Sequence, residues 1–393
     1  MQLGTAALAS GRRPRTRPTL HALPKCARAN QKLTLVEQPM LASTSCSSAI
    51  SRQKQGSNVL GAQDLAEVRV VDEQQKKLLR RTVSLLVDEG VTADTLHLYS
   101  HRIPRALVAA LSRLTCVPQS DSGYCILKGI LSEFTDDPGA TPRSWDTIDP
   151  DQTRDLDVAF AIVASAAGRI FGWKSQQDGR LVHNIVPSEA FADMQVGASS
   201  TVRLEWHTED SYHPDRPELL MLACVRNPDE VGTDVASIRQ ADLSEDDIAL
   251  LSTRPVLLYP DDSYAGSWSN DSQDAARMLT LWETRHGLCM RYDPPYTKLP
   301  DGQPELRAAW ERLGEALDRC ATTVMAEPGD VIVVNNDVAA HARRPFKARY
   351  DGTDRWLKRI LARGTWQRPE AERSEPGYAQ VQVGPYPSLH ADR

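Results

Sequence analysis

The sequence predicts a mainly β protein, an antiparallel barrel or sandwich with helices packed outside it. Three observations carry that prediction. Helical periodicity dominates the earlier part of the body of the chain. From about residue 181 onward, short strand-like segments take over, many bounded by Gly, Pro, Asn or Asp. No internal repeat organises either part. Helices first and strands afterwards suit a sheet covered by helices rather than an alternating parallel fold.

The elements follow in order. Periodicity begins near Leu65, and Leu78, Leu79, Val83, Leu85 and Leu86 fall at helical spacings. Pro104 suits a first helical turn and predicts a helix to about Leu114. Tyr124-Cys-Ile-Leu-Lys128 reads as a short strand. Residues 154–170 are apolar nearly all round, which predicts a buried helix. The richest apolar stretch, 158–173, is broken by Gly168 and Arg169 and falls short of the ~20 residues a membrane span needs. Strands are expected at 181–186, 219–225, 234–238, 256–259, 288–292, 331–334 and 356–361, with helices near 244–251 and 304–319 between them. Residues 368–393 are polar and Pro-rich and read as a flexible tail.

Composition narrows the function. The 393 residues are 41% hydrophobic and 25% charged, which is ordinary for a globular chain. Net charge is −6 with no long basic block in the body, so neither nucleic acid nor a membrane is an expected partner. Seven cysteines, an odd number with no CxxC pair, argue against a disulfide scaffold or zinc ribbon and for a reducing cytoplasm. The charge is uneven. Residues 1–60 hold nine Lys/Arg and one acid, Glu37, leaving 37 basic and 51 acidic residues for the rest. This basic, Ser- and Ala-rich head reads as a disordered extension. An Arg- and Ser-rich, acid-poor head is also open to a transit-peptide reading, but no amphipathic helix is evident in it, which favours the plain extension. Residues 61–367 form the expected folded domain.

The chemistry concentrates at Val202-Arg-Leu-Glu-Trp-His-Thr-Glu-Asp210. On a strand, residues i and i+2 share a face, so His207 and Glu209 can aim imidazole and carboxylate at one point. Two histidines and one carboxylate make the facial triad of non-haem Fe(II) oxygenases, and His341 is the candidate third ligand. A His-x-acid pattern is weak alone: composition gives about one by chance, and His213-Pro-Asp215 and His390-Ala-Asp392 also match. The downstream segment adds weight. Pro328-Gly-Asp leads into an apolar strand, His341 follows, and the Asp351-Gly-Thr turn opens a strand carrying Arg355, Trp356 and Arg359. A guanidinium fork there suits two-pronged binding of a carboxylate.

Together, His207-Thr-Glu209, His341, Arg355 fourteen residues on and Arg359 eighteen on resemble the clavaminate synthase-like branch of the Fe(II)/2-oxoglutarate oxygenases. Within it the sequence is most similar to hydroxylases of free amino acids, especially the arginine hydroxylases of peptide-antibiotic pathways. Trp206-His-Thr-Glu-Asp210, Arg226-Asn-Pro228 and the run from Arg349 to Arg359 strengthen the likeness, which covers roughly residues 65–363. The resemblance implies a distorted double-stranded β-helix, a jelly-roll core. It implies Fe(II) held by His207, Glu209 and His341, with 2-oxoglutarate and O2 as cosubstrates. Arg355 would bind the distal carboxylate of 2-oxoglutarate, with a hydroxyl hydrogen bond from Thr233. Arg359 would grip the substrate α-carboxylate, and Gln176 with Glu209 would meet the α-amino group.

For the side chain, the resemblance places Asp293 against a substrate guanidinium, and the segment from Tyr259 to Gly266 as a lid bearing Asp261 and Ser263. The arginine hydroxylases carry a second acid two residues after Asp293; here that position is Pro295. The implied reaction is hydroxylation at C3 or C4 of free L-arginine in antibiotic biosynthesis. Lysine, citrulline, ornithine and amide amino acids are the alternatives. Glu209 fills the position that a halogenase leaves vacant for chloride. Three other readings remain: a non-catalytic metal-binding barrel, a zinc hydrolase using the same triad, and a cysteine hydrolase using Cys224 or Cys289.

Overall fold

A short strand, β1 (Val68–Val70), opens the computed structural model, which describes residues 67–115, 120–261, 277–364, 368, 370 and 380–389. Helix α1 (Glu73–Asp88) begins where the Asp72 carboxylate accepts from the Gln75 amide, and it buries Leu79, Val83 and Leu86 on one face. Helix α2 (Arg105–Leu114) and strand β2 (Tyr124–Lys128) follow as expected. Helix α3 (Arg154–Ala167) is apolar all round because it is buried all round. It stops three residues earlier than its periodicity suggests. A Cβ at Gly168 would collide with the Arg363 carbonyl oxygen, so only glycine lets the backbones approach there, and the chain leaves as strand β3 (Arg169–Trp173).

The remaining strands are β4 (His183–Ile185), β5 (Leu204–His207), β6 (Leu219–Arg226) and β7 (Thr233–Ser237). Helix α4 (Glu245–Thr253) precedes β8 (Val256–Leu258), β9 (Arg277–Met278), β10 (Leu281–Thr284), β11 (Gly287–Met290) and β12 (Thr297–Lys298). Helix α5 (Pro304–Cys320) leads to β13 (Thr322–Val324), β14 (Val331–Asn335), β15 (Ala339–Arg343), β16 (Trp356–Arg363) and β17 (Gln382–Val383).

Two sheets matter for the site. The larger runs β1-β2-β14-β6-β16-β3-β17, with β4 added to β16; the smaller runs β13-β7-β15-β5. Strand alternation divides the core between them. Leu219, Met221, Ala223 and Val225 of β6 pack with the helices, whereas Leu220, Leu222 and Cys224 pack with Val235, Ala236, Ala340 and Ala342 of the smaller sheet. β14 does the same with Val331 and Val333 against Ile332 and Val334. Both faces of these central strands are covered, so their sequences are continuous apolar runs. Each buried side chain of this size contributes about 1.5–3 kcal/mol.

The structure departs from the expected tail. Arg368 is buried, β17 pairs with β3, and Leu389 packs with the helical side of the core. Polar composition hides this, because the contacts are scattered: the Arg368 guanidinium, the backbone of β17 and isolated side chains such as Leu389 and Tyr386. The expected extension, 1–60, lies outside the described residues. No helix among the described residues is long and apolar enough to cross a membrane. Cys224, Cys289 and Cys320 are free thiols.

Candidate active site

β5 and β15 are antiparallel neighbours, and their register sets His207 directly opposite His341. The two rings lie 4.0 Å apart, centre to centre. Glu209 follows two residues after His207, and the ligand atoms of all three lie within 4.8 Å of one another. The His207 Nδ1–H donates to the Glu205 carbonyl at 2.9 Å, which leaves Nε2 as the lone-pair nitrogen. His341 is buried, and desolvation, with the nearby His207 and Arg359, holds its pKa well below the ordinary value. A neutral imidazole is the ligating form. The Glu209 backbone is pinned by Asn336, whose Oδ1 accepts from the Glu209 amide at 2.7 Å and whose Nδ2 donates to the Glu209 carbonyl at 2.9 Å. Two imidazoles and a buried carboxylate, with a backbone carbonyl behind His207 and the Asn336 amide behind Glu209, fit iron.

These groups open into a cavity of about 410 Å³ lined from both sheets. Arg355 enters at the head of β16 and donates to Thr233 Oγ1 at 3.4 Å. Burial pushes its guanidinium down to about 10. Arg343 of β15 lines the same cavity, and the proximity of Arg355 adds to the burial that lowers its own pKa to about 9. Arg343 donates to the Ser199 carbonyl and hydroxyl. Two adjacent buried guanidiniums make this end of the cavity strongly attractive to a carboxylate.

Arg359 sits four residues beyond Arg355, within β16. It donates to Glu209 Oε1 and, at 3.0 Å, to Gln176 Oε1. It also lies 2.7 Å from His183 Nδ1. Gln176 and Glu209 both line the cavity. Asp261, Asp293, Pro295 and Asp210 line it too. Burial raises the Asp293 carboxyl well above the ordinary range, and Asp261, Glu209 and Asp210 add to the rise. Asp210 is pushed up to about 7 by burial and the neighbouring Glu209, while Trp173 Nε1–H donates to it at 2.7 Å. Ser263 lies outside the described residues.

Other candidates fall away from the cavity. The amide of Asp215 donates to His213 Nδ1 at 2.9 Å, so that pattern is a local turn. His390 is outside the described residues. Burial pushes the Cys224 and Cys289 thiols up to about 12 and 11, and neither lines the cavity. That leaves them without the thiolate a hydrolase needs. Sequence reasoning missed Asn336, Arg343, Asp210 and the contact of His183 with Arg359. Only Asp210, next to Glu209, carried a local signal.

Residues 145–361 match the model of the family described as taurine catabolism dioxygenase TauD, TfdA family. The chain belongs to that family. It is an iron- and 2-oxoglutarate-dependent dioxygenase. Enduracididine beta-hydroxylase from Streptomyces hygroscopicus is 32% identical to the dioxygenase over 78% of this chain and 94% of its own. L-ornithine/L-arginine 3-hydroxylase from Catenulispora acidiphila is 32% identical over 61% of this chain and 76% of its own. The non-heme iron oxygenase OrfP, solved with Fe, succinate and (3S)-hydroxy-L-Arg, is 29% identical with a TM-score of 0.66, covering 75% of this chain and 93% of OrfP. OrfP has also been solved with Fe and alpha-ketoglutaric acid. Membership removes the zinc-hydrolase and cysteine-hydrolase readings of the sequence.

Proposed function

We propose that this dioxygenase hydroxylates C3 or C4 of a free L-amino acid, L-arginine above others. One observation carries the reading: a single cavity joins the His207–Glu209–His341 triad to Arg359 and Gln176, and also to the carboxyls of Asp293 and Asp261. An amino acid with a cationic side chain has the complementary charges. Its α-carboxylate suits the partly buried Arg359 guanidinium, and its distal cation suits an enclosed acid cluster. Similarity to hydroxylases named for enduracididine and ornithine/arginine, and to OrfP with hydroxyarginine, supports the same class.

The residue roles follow. His207, Glu209 and His341 would hold Fe(II), which when bound supplies dioxygen activation, with 2-oxoglutarate as reductant ending as succinate and CO2. Arg355 and Thr233 would take the distal carboxylate of 2-oxoglutarate. Arg359 would take the α-carboxylate of the substrate, and Gln176 with Glu209 its α-amino group. Asp293, Asp261 and the lid residue Ser263 would face the side chain. Held at both ends, the substrate presents one C–H bond to the triad, and positioning of this kind supplies much of an enzyme's selectivity. We assign the two facing sheets to a distorted double-stranded β-helix, the jelly-roll core. The free thiols support a cytoplasmic site of action, and a role in antibiotic biosynthesis is what the sequence resemblance implies.

A substrate panel tests the proposal. The protein is supplied with Fe(II), 2-oxoglutarate and air, and offered free Arg, Lys, ornithine, citrulline, Asn and Gln. Succinate and a product 16 mass units heavier are followed, with His207→Ala as control. Coupled succinate and hydroxyarginine, both lost in the control, is the expected result. Coupling to a different amino acid corrects the substrate. No amino-acid-dependent succinate from any member overturns the reading.

A further inference from the structure

We propose that His183 is a positioning residue that holds the Arg359 guanidinium in place to receive the substrate's α-carboxylate. The inference rests on the reading of Arg359 above. It begins with register. β4 pairs with β16 so that His183 stands directly opposite Arg359. Cross-strand partners share a face, so the ring and the guanidinium meet side by side. The Arg359 Nη2–H donates to His183 Nδ1 at 2.7 Å, a short, charge-assisted contact. With Nδ1 accepting, the neutral ring carries its proton on Nε2.

Two further acceptors of Arg359 differ in kind from His183. Gln176 and Glu209 both line the cavity, so a docked amino acid competes for the same donors. His183 is 1% exposed and does not line the cavity. A substrate cannot displace it. Its bond therefore holds one Nη2–H throughout. An arginine with several donors and no fixed acceptor behind it samples several orientations; one fixed acceptor removes that freedom before the ligand arrives.

The far side of β4 shows that His183 is itself held. Asn184 Oδ1 accepts from Lys358 Nζ at 2.9 Å and from Trp356 Nε1 at 3.0 Å. Lys358 Nζ also reaches Asp157 at 2.6 Å and Thr153 Oγ1 at 2.9 Å, which ties this face of β4 and β16 to α3. The Asn184 amide donates to Gln177 Oε1, and Gln177 Nε2 donates back to the Asn184 carbonyl, both at 2.9 Å. A three-residue strand is thereby locked from behind, and the same bonds fix the loop that delivers Gln176. His183 and Gln176 reach Arg359 as one preassembled unit.

The test uses two substitutions. His183→Phe keeps the ring volume and removes the acceptor. His183→Asn restores an acceptor atom, Oδ1, at the same distance from Cβ as Nδ1. Kinetics are measured with the amino acid that the panel selects, L-arginine first, and binding of L-arginine is compared with that of agmatine, which lacks the carboxylate. The phenylalanine variant should raise the amino-acid KM about 10–100-fold, the range for losing a hydrogen bond to a charged group. Its KM for 2-oxoglutarate and its agmatine affinity should stay unchanged, and the asparagine variant should recover most of the loss. Equal rises in both KM values, or no recovery with asparagine, would make His183 merely structural and overturn the proposal. An independent reading needs no substrate: the ring 15N shifts of His183 should report the Nε2–H tautomer, and an Nδ1–H tautomer overturns the proposal as well. Failure of the functional reading would show instead in the unmodified protein, as absence of any coupled amino acid.

Discussion

Arg368 and Arg355 are both buried arginines, 5% and 6% exposed, yet they are bonded in opposite ways. Arg368 is saturated. Its Nε and Nη2 donate to the Asp337 carboxylate at 2.9–3.0 Å, and its other donors reach the carbonyls of Pro214, Arg216 and Pro217. Arg216 adds a second guanidinium to Asp337, at 3.4 Å. None of these residues lines the cavity. Arg355 has only a 3.4 Å bond to the Thr233 hydroxyl, and its Nε has no hydrogen-bond partner among the described residues. The pKa shifts agree. Asp337 stays below the ordinary carboxylate value in spite of burial, because Arg368 and Arg216 face it. Arg355 is pushed down to about 10, with no carboxylate beside it. One cluster is spent on the fold. The other keeps donor capacity for an anion that arrives later, and the fold carries that cost.

The largest effect is expected on the saturated side. Arg368→Leu leaves Asp337 buried with half its partners, and breaking a buried pair costs about 3–5 kcal/mol. Urea and thermal unfolding should show a loss of that size, while 2-oxoglutarate affinity of the folded fraction holds. The Asp337 contribution is also pH-dependent. Its folded pKa is depressed, so its stabilisation is present above the unfolded value and fades as pH falls through the folded one. Arg355→Leu should do the reverse. It removes a buried guanidinium with few partners, so the melting temperature should hold or rise. Affinity for 2-oxoglutarate should fall roughly 100-fold, from losing one partner of a buried charge pair. If Arg355→Leu destabilises as much as Arg368→Leu, the contrast between the two clusters is wrong.

The two clusters were not equally legible in the sequence. His207 and Glu209 could be read together because they stand two residues apart, although β5 ends at His207 and Glu209 lies in the turn beyond it, not on the strand that alternation assumes. His341 and Arg355 could be read because fourteen residues separate them in a recognisable pattern. The seat of β15 could not: Ala339–Arg343 is a buried strand with little apolar signature, and pairing with β5 and β7 makes it one. His183 falls in the strand expected at 181–186, but its partner Arg359 is 176 residues away, and register across two strands is not written in either. Arg368 stood in a polar, Pro-rich stretch. Its burial depends on Asp337, whose own position is set by the β14–β15 turn. Core strands were legible through their apolar runs, whereas polar contacts made across the fold left no local trace.

The smallest effect is the most discriminating about substrate. Asp293 is a third kind of buried charge, an acid without a guanidinium in contact, and its carboxyl is raised well above the ordinary range by burial and by Asp261. In the ligand-free protein it therefore holds its proton to higher pH than an exposed aspartate does. A cationic side chain favours the ionised form. Binding of L-arginine should then release a proton from Asp293, and affinity should climb as pH rises toward the raised value and level above it. Calorimetry in two buffers of different ionisation heat measures the release directly. Asp293→Asn should abolish it, flatten the pH dependence and weaken arginine about 10–100-fold, the range for a lost charge-assisted bond. Citrulline, equal in length and uncharged, should bind the variant as well as it binds the unmodified protein. If arginine and citrulline weaken equally in the variant, Asp293 shapes the pocket rather than recognising charge, and the acid cluster no longer argues for a cationic substrate.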